Sequence, residues 1–223
     1  ICSDINKGLI DLWNIIKDKP QEVADHYEKL WNEMNSDDMR GDQSYKRSYY
    51  ENVRERYNKE HDPLDFMFID RTCFNGLIRY NSKGEFNSPY HLNRNGIRPN
   101  VLRTIVSEWS DLLKLNDVRF NCNSYDNISP KCNDFIYLDP PYANTNGMYN
   151  GDFDNNGFFK WLKELKCKFA LSYDGISGET DNTYKVPSDV YDKHVYVKSG
   201  NSSFKRIKQS DNNAIVYESL YLG

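Results

Sequence analysis

The chain has 223 residues, with 29 Lys and Arg against 33 Asp and Glu and a net charge of −4 at pH 7. That balance excludes a uniformly basic nucleic-acid binder, though not a local basic face, and an aromatic share of 14% excludes a disordered chain. At roughly 100–200 residues per domain, the length fits one large domain or one domain carrying an insertion.

Taken in chain order, Ile1-Cys2-Ser3 reads as the end of a β-strand that delivers Asp4, with no Met before it. Residues 8–17 predict a helix with Leu9, Leu12, Trp13 and Ile16 on one face, and residues 21–35 repeat the pattern with Val23, Tyr27, Leu30, Trp31 and Met34. The stretch 36–62 is charged and poor in apolar residues, so it reads as solvated helix or a mobile connection. Pro99 opens a clean amphipathic helix over 99–115. From there the rhythm changes. Short β-branched or aromatic runs at 118–122, 135–138, 169–172, 195–197 and 215–217, with a helical stretch at 157–165, predict an α/β sheet that is at least partly parallel. In such sheets the ligand site lies at the carboxyl ends of the strands.

Several classes of function drop out. No stretch approaches the ~18 apolar residues of a membrane span, and the opening ICSDINKGLIDLW lacks the basic and apolar regions of a signal peptide. Five cysteines without a C-x-x-C pair, and four scattered histidines, predict neither a disulfide framework nor a metal site, and fit a reducing cytoplasmic setting.

The run Asp134-Phe-Ile-Tyr-Leu-Asp139-Pro140-Pro141-Tyr142 carries chemistry. A strand delivers a carboxylate, two prolines and an aromatic ring to a ligand crevice. Two prolines fix φ twice and remove two N–H donors, leaving a rigid cluster of acceptors. Such a cluster suits the exocyclic amine of a planar heterocycle. Two acceptors taking its two hydrogens localise the nitrogen lone pair, while the ring stacks on the base.

Asp139-Pro140-Pro141-Tyr142 resembles the catalytic motif of amino-methylating DNA methyltransferases. A second block, running from Arg71 to Tyr90 and containing Phe-Asn-Gly-Leu-Ile-Arg-Tyr-Asn and Gly-Glu-Phe-Asn-Ser-Pro-Tyr, resembles the target-recognition segment of Dam-type adenine-N6 methyltransferases. The resemblance covers nearly the whole chain. It implies a Rossmann-like class I fold dependent on S-adenosylmethionine, with residues 1–35 and 116–223 catalytic and an inserted helical recognition domain over 36–115. It also implies double-stranded DNA as partner, a monomer or weak dimer on it, nucleoid association, and methylation of a flipped adenine in a short palindrome, GATC. The family places a first strand and a Phe-x-Gly-x-Gly loop ahead of the acidic segment. Neither occurs here, so the 223 residues are expected to be a portion of a longer protein.

The same resemblance assigns roles residue by residue. Asp139 accepts one target amino hydrogen and helps hold the cofactor, the Pro140 carbonyl takes the second, Pro141 stiffens the turn, and Tyr142 stacks on the adenine. Asp4 and Ile5 form the ribose-binding segment, and Ser124 with Tyr125 borders the cofactor adenine. Arg79 reads a guanine edge, Leu77 and Pro89 touch a thymine methyl, and Phe74 wedges into the duplex. Asn75, Asn81, Asn87 and Arg94 complete the recognition block, and Asn201 with Ser202 lies in a loop near the base or the phosphates. A covalent intermediate, and hence a catalytic Cys, is not required. The related glutamine methyltransferases carry Asn where Asp139 stands, which speaks against a protein substrate.

Charge points the same way. Between 71 and 104 six basic residues face one acid, and between 193 and 209 five face none, so two islands of +5 are hidden in a net −4.

Overall fold

The structure, a computed structural model, describes residues 1–36, 41–141, 153–201 and 215–223. It divides into two compact units, Ile1–Asn127 and Ile128–Gly223. In the first, β1 (Cys2–Asp4) leads through α1 (Lys7–Asp18), α2 (Pro20–Met34), α3 (Gln43–Glu60), α4 (Pro63–Thr72) and α5 (Pro99–Leu115) to β2 (Phe120–Cys122). The helix starts follow local chemistry. Asn6 caps α1 by accepting from the Leu9 N–H at 3.2 Å, and Asp62 caps α4 just before Pro63. Strands β1 and β2 pair in parallel, with Asp4 opposite Cys122. Trp13 of α1 stacks on Phe120 of β2, ring centroids 5.6 Å apart.

One core joins all five helices. Tyr27 and Met34 of α2, Tyr50 and Tyr57 of α3, Phe66 and Phe68 of α4, and Leu102 of α5 are buried in it. This corrects the reading of 36–62 as solvated. Residues 43–60 form a helix whose Lys46, Tyr50, Val53 and Tyr57 fall on one buried stripe. Half of that stripe is tyrosine, whose hydroxyl makes it look polar in a sequence. Helix α4 escaped notice for the opposite reason. From Asp65 to Asp70 every residue is buried, so no polar face marks a period.

Asp65 illustrates the cost of that burial. Its carboxylate takes two bonds from Arg56 (2.6 Å each) and faces His26 Nε2 at 2.9 Å. Burial pushes the carboxyl up, but the bonds from Arg56 and His26 outweigh it and hold it below the usual carboxylate value. The stabilisation is therefore present above the ordinary carboxylate pKa and is lost as pH falls through the lowered one. Arg56→Ala should destabilise the protein by about 2 kcal/mol, less than a fully enclosed pair because Arg56 is partly exposed. It should also flatten the acid limb of the unfolding curve followed by urea melts.

In the second unit β3 (Phe135–Leu138), α6 (Asn155–Glu164), β4 (Lys168–Ser177), β5 (Thr180–Asp181), β6 (Lys193–Asn201) and β7 (Ile215–Leu222) build a sheet of order β3-β4-β7-β6, with β5 beside the far end of β4. Strands β3 and β4 are parallel, with Leu138 opposite Leu171, and the remaining pairings are antiparallel. The expected mixed α/β architecture is present. Phe158, Phe159 and Leu162 of α6 and Phe169, Leu171 and Tyr173 of β4 are buried within this unit.

Candidate functional site

Asp139 follows β3 directly, at the carboxyl end of the parallel β3–β4 pair. Its Oδ1 accepts a hydrogen bond from Ser172 Oγ at 2.8 Å, and the same hydroxyl lies 3.4 Å from the Leu138 carbonyl. Ser172 is buried one register position past Leu171 on β4. The carboxylate is thus held from behind by a neighbouring strand, while Asp139 itself stays exposed and Pro140 and Pro141 are half-buried. Sequence reading missed Ser172. The only signal was a hydroxyl at the end of the apolar run Phe169-Ala-Leu. Tyr142, Ser202 and the side chain of Asn201 lie outside the described residues.

A second strand end lies in the first unit. Asp4 closes β1 next to Cys122 of β2, and Ser124 and Tyr125 follow β2 into a short 3-10 turn at Tyr125–Asn127. The parallel pair therefore brings Asp4, Ile5, Ser124 and Tyr125 to one carboxyl edge. Asp4 does not cap α1, a task that Asn6 performs. Instead Asp4 Oδ1 accepts from the Asn6 N–H at 2.6 Å and the residue remains exposed. Ile5 is 69% exposed. The Tyr80 hydroxyl donates to Asn6 Oδ1 at 3.1 Å, tying this edge to the basic block.

Residues 73–90 fold back on themselves as an irregular hairpin, with antiparallel bridges Cys73–Tyr90 and Tyr80–Phe86. The Asn81 amide is spent on the tip. Its Oδ1 accepts from the N–H groups of Lys83 and Glu85, and its Nδ2 donates to Glu85. Asn81 is therefore a turn builder in this structure. Phe86 plugs the core edge-on to Phe66 and Tyr57. Asn58 of α3 pairs both ways with the Phe86 backbone (2.8 and 3.0 Å), and Tyr50 and Arg54 donate to the Ser88 carbonyl. Asn58 was not legible in the sequence, because its partner lies 28 residues away.

On the hairpin Arg79 Nε donates to Asn87 Oδ1 at 2.8 Å and Nη2 to the Asn87 carbonyl at 3.3 Å, which fixes the guanidinium plane. Phe74 is 40% exposed and belongs to no core cluster; it stacks on His91 with centroids 5.4 Å apart. Burial and the Arg94 charge push the His91 imidazole below its usual value. Asn75 and Gly76 both adopt positive φ and are exposed, Leu77 is half-buried, and Pro89 is exposed. An open cleft of ≈ 380 Å³ adjoins them, with Asp70 and Cys73 buried in its lining and Arg71, Asn75 and Arg94 exposed along it.

Folding sorts the first basic island. Arg71 pairs with Asp70, and Arg103 pairs with Asp25 and Glu28. Among the described residues, Arg79, Lys83, Arg94 and Arg98 have no ion-pair partner. In the second island Lys193 and Lys198 lie exposed on β6, and the other three basic residues fall outside the described residues. Among the described residues no group of His, Cys, Asp or Glu could hold a metal, and no helix is long and apolar enough to cross a membrane.

The two units thus offer an acidic strand end followed by two prolines, a second acidic strand end, and a hairpin whose Arg79 and Lys83 have no ion-pair partner among the described residues. The comparison with known families names the class. The model of the D12 class N6 adenine-specific DNA methyltransferases matches residues 1–215, and the chain belongs to that family. Among its relatives, the type II methyltransferase M.MjaIII of Methanocaldococcus jannaschii is 31% identical over 156 residues, which is 66% of this chain and 51% of that protein. The DNA adenine methylase of Escherichia coli is 33% identical over 150 residues, 64% of this chain and 49% of that protein. The type II methyltransferase M.FokI of Planomicrobium okeanokoites is 29% identical over 179 residues, 78% of this chain and 26% of that protein. The chain spans about half the length of the first two of these relatives.

Proposed function

We propose that the protein is a site-specific DNA adenine-N6 methyltransferase that uses S-adenosylmethionine and acts on a flipped adenine in a short palindrome, GATC. The observation that carries this reading is Asp139, exposed at the carboxyl end of β3 with its carboxylate steadied by Ser172, in a chain of this family. In this reading the strand-bearing parts belong to a Rossmann-like class I fold and residues 36–115 serve recognition.

The fit of the cofactor rests on Asp4. An exposed carboxylate at a parallel strand edge, beside Ser124 and Tyr125, suits a ribose with two hydroxyls and an adjoining base. S-adenosylmethionine, when bound, supplies an electrophilic methyl group. The chain's own work is to hold and desolvate. Asp139 and the Pro140 carbonyl take the two hydrogens of the target amine, Pro141 keeps the acceptors rigid, and Tyr142 holds the base face. The nitrogen lone pair, freed from the ring, would be the nucleophile toward that methyl group, with no covalent bond to the enzyme, and Asp139 would stand beside the amine proton that must leave for solvent. At the other end Arg79 reads guanine, Leu77 and Pro89 meet thymine, Phe74 fills the gap left by the flipped base, and Asn75, Asn87 and Arg94 contact the duplex.

Incubating the full-length protein with S-adenosylmethionine and a plasmid, followed by modified-base sequencing, tests this. N6-methyladenine confined to GATC is expected. Methylation of another sequence would overturn the site, and no N6-methyladenine would overturn the activity.

A further inference from the structure

The loop that carries Arg94 is held by three side chains from α2 and α3. Lys46 of α3 is only 1% exposed, yet it keeps its ammonium inside the first unit, where Nζ donates to Asn35 Oδ1 at 2.7 Å and to Asn95 Oδ1 at 3.2 Å. Trp31 Nε1 donates to the Asn95 carbonyl at 2.7 Å. The Tyr27 hydroxyl donates to the Ile97 carbonyl at 2.8 Å and accepts from the Ile97 N–H at 3.0 Å. Between them Gly96 has φ +75, and a Cβ there would sit 2.7 Å from the Tyr27 hydroxyl and 2.9 Å from Thr72 Cγ2. Residues 95–97 are therefore fixed at three successive positions. Burying an ammonium is costly, and methionine of similar length would pack the same space without that cost. The bonds to Asn35 and Asn95 offset part of that cost. The adjoining residue, Arg94, is exposed along the cleft and has no ion-pair partner among the described residues.

We propose that Lys46, assisted by Trp31 and Tyr27, is a positioning residue for DNA binding: it pins the 95–97 loop so that the Arg94 guanidinium is already in place for a backbone phosphodiester. A bound anion then does not have to order the loop, and that saved entropy appears as affinity. The inference rests on the reading of the protein as a DNA methyltransferase whose recognition segment includes Arg94.

Steady-state methylation of a duplex at several salt concentrations tests it, on the full-length protein and its Lys46→Met, Trp31→Phe, Arg94→Ala and Lys46→Met/Arg94→Ala forms. Lys46→Met should raise KM for DNA about tenfold with kcat changed less than twofold, and lower the slope of log affinity against log salt by about one, as Arg94→Ala does. The double form should be no worse than Arg94→Ala alone. Multiplying effects in the double form, or a lower kcat and melting temperature with KM and slope unmoved, would overturn the proposal. Should Lys46→Met fail to fold, Trp31→Phe decides, since it removes one donor and keeps an aromatic ring in place; an unchanged KM and slope there also overturns it. If the unmodified protein binds duplex but transfers no methyl group, the enzymatic reading fails. The positioning role is then judged on the same variants by duplex Kd.

Discussion

Asp139→Ala should reduce kcat for methyl transfer by at least ~10³-fold while leaving the Kd for duplex DNA within about threefold. The carboxylate touches the reacting amine in the proposed reaction, whereas the same proposal assigns duplex affinity to the hairpin and Arg94. Asp139→Asn is nearly as damaging, because the amide presents a donor where a second acceptor is needed. Ser172→Ala separates positioning from chemistry. It removes the 2.8 Å bond to Asp139 Oδ1 and leaves the carboxylate present but free to turn. The expected loss is about tenfold in kcat with KM for DNA unchanged, since an unsupported catalytic group loses alignment before it loses function. Single-turnover methylation and duplex binding on the same preparations separate the two quantities. Full activity of Asp139→Ala would refute the role of the strand end.

Arg79→Ala should weaken methylation of the cognate site by about 1–3 kcal/mol in kcat/KM and relax discrimination at one base pair of the site. Arg79→Lys should not restore it, because an ammonium has no planar fork and cannot keep both bonds to Asn87. Lys83→Ala provides the contrast. Lys83 is exposed near the hairpin tip without an ion pair among the described residues, so its loss should weaken all duplexes alike and lower the salt slope by about one. A panel of duplexes with single substitutions in the site distinguishes the two patterns. An Arg79→Ala enzyme that keeps its full preference would remove Arg79 from readout.

Some of this architecture was legible in the residues. Pro99 and the apolar period after it mark α5, which spans Pro99–Leu115, and β3 falls at Phe135–Leu138 as its apolar run implies. Other parts were hidden for definable reasons. Strands β6 and β7 reach Lys193–Asn201 and Ile215–Leu222, well past the short runs read for them, because polar residues interrupt the apolar runs, Lys198 and Ser199 in β6 and Glu218 and the buried Ser219 in β7. Helix α3 hides its core contacts behind tyrosine hydroxyls, and α4 has no polar face to show a period. The motifs themselves were visible as residue patterns, but their supports were not. Ser172 stands 33 positions from Asp139, Asn58 stands 28 from Phe86, and Lys46 stands 49 from Asn95. Such pairs are made by tertiary folding, and no local spacing reports them. The family match covers residues 1–215 and agrees with the class that the motifs suggested.

The way α3 grips the hairpin has a consequence for variation. Asn58, Tyr50 and Arg54 hold backbone atoms of Phe86 and Ser88, and the turn from 81 to 85 is closed by Asn81 alone. The grip from α3 thus runs through backbone atoms common to every amino acid, while the tip depends on the Asn81 side chain. Side chains that project from the frame, such as those at 77 and 89, can be exchanged without removing one of these clamps, whereas Arg79 also bonds Asn87 across the hairpin. If these side chains read the site as proposed, a new reading head can be written onto the same handle, and this segment is then a natural place for graded shifts in preference rather than all-or-none loss.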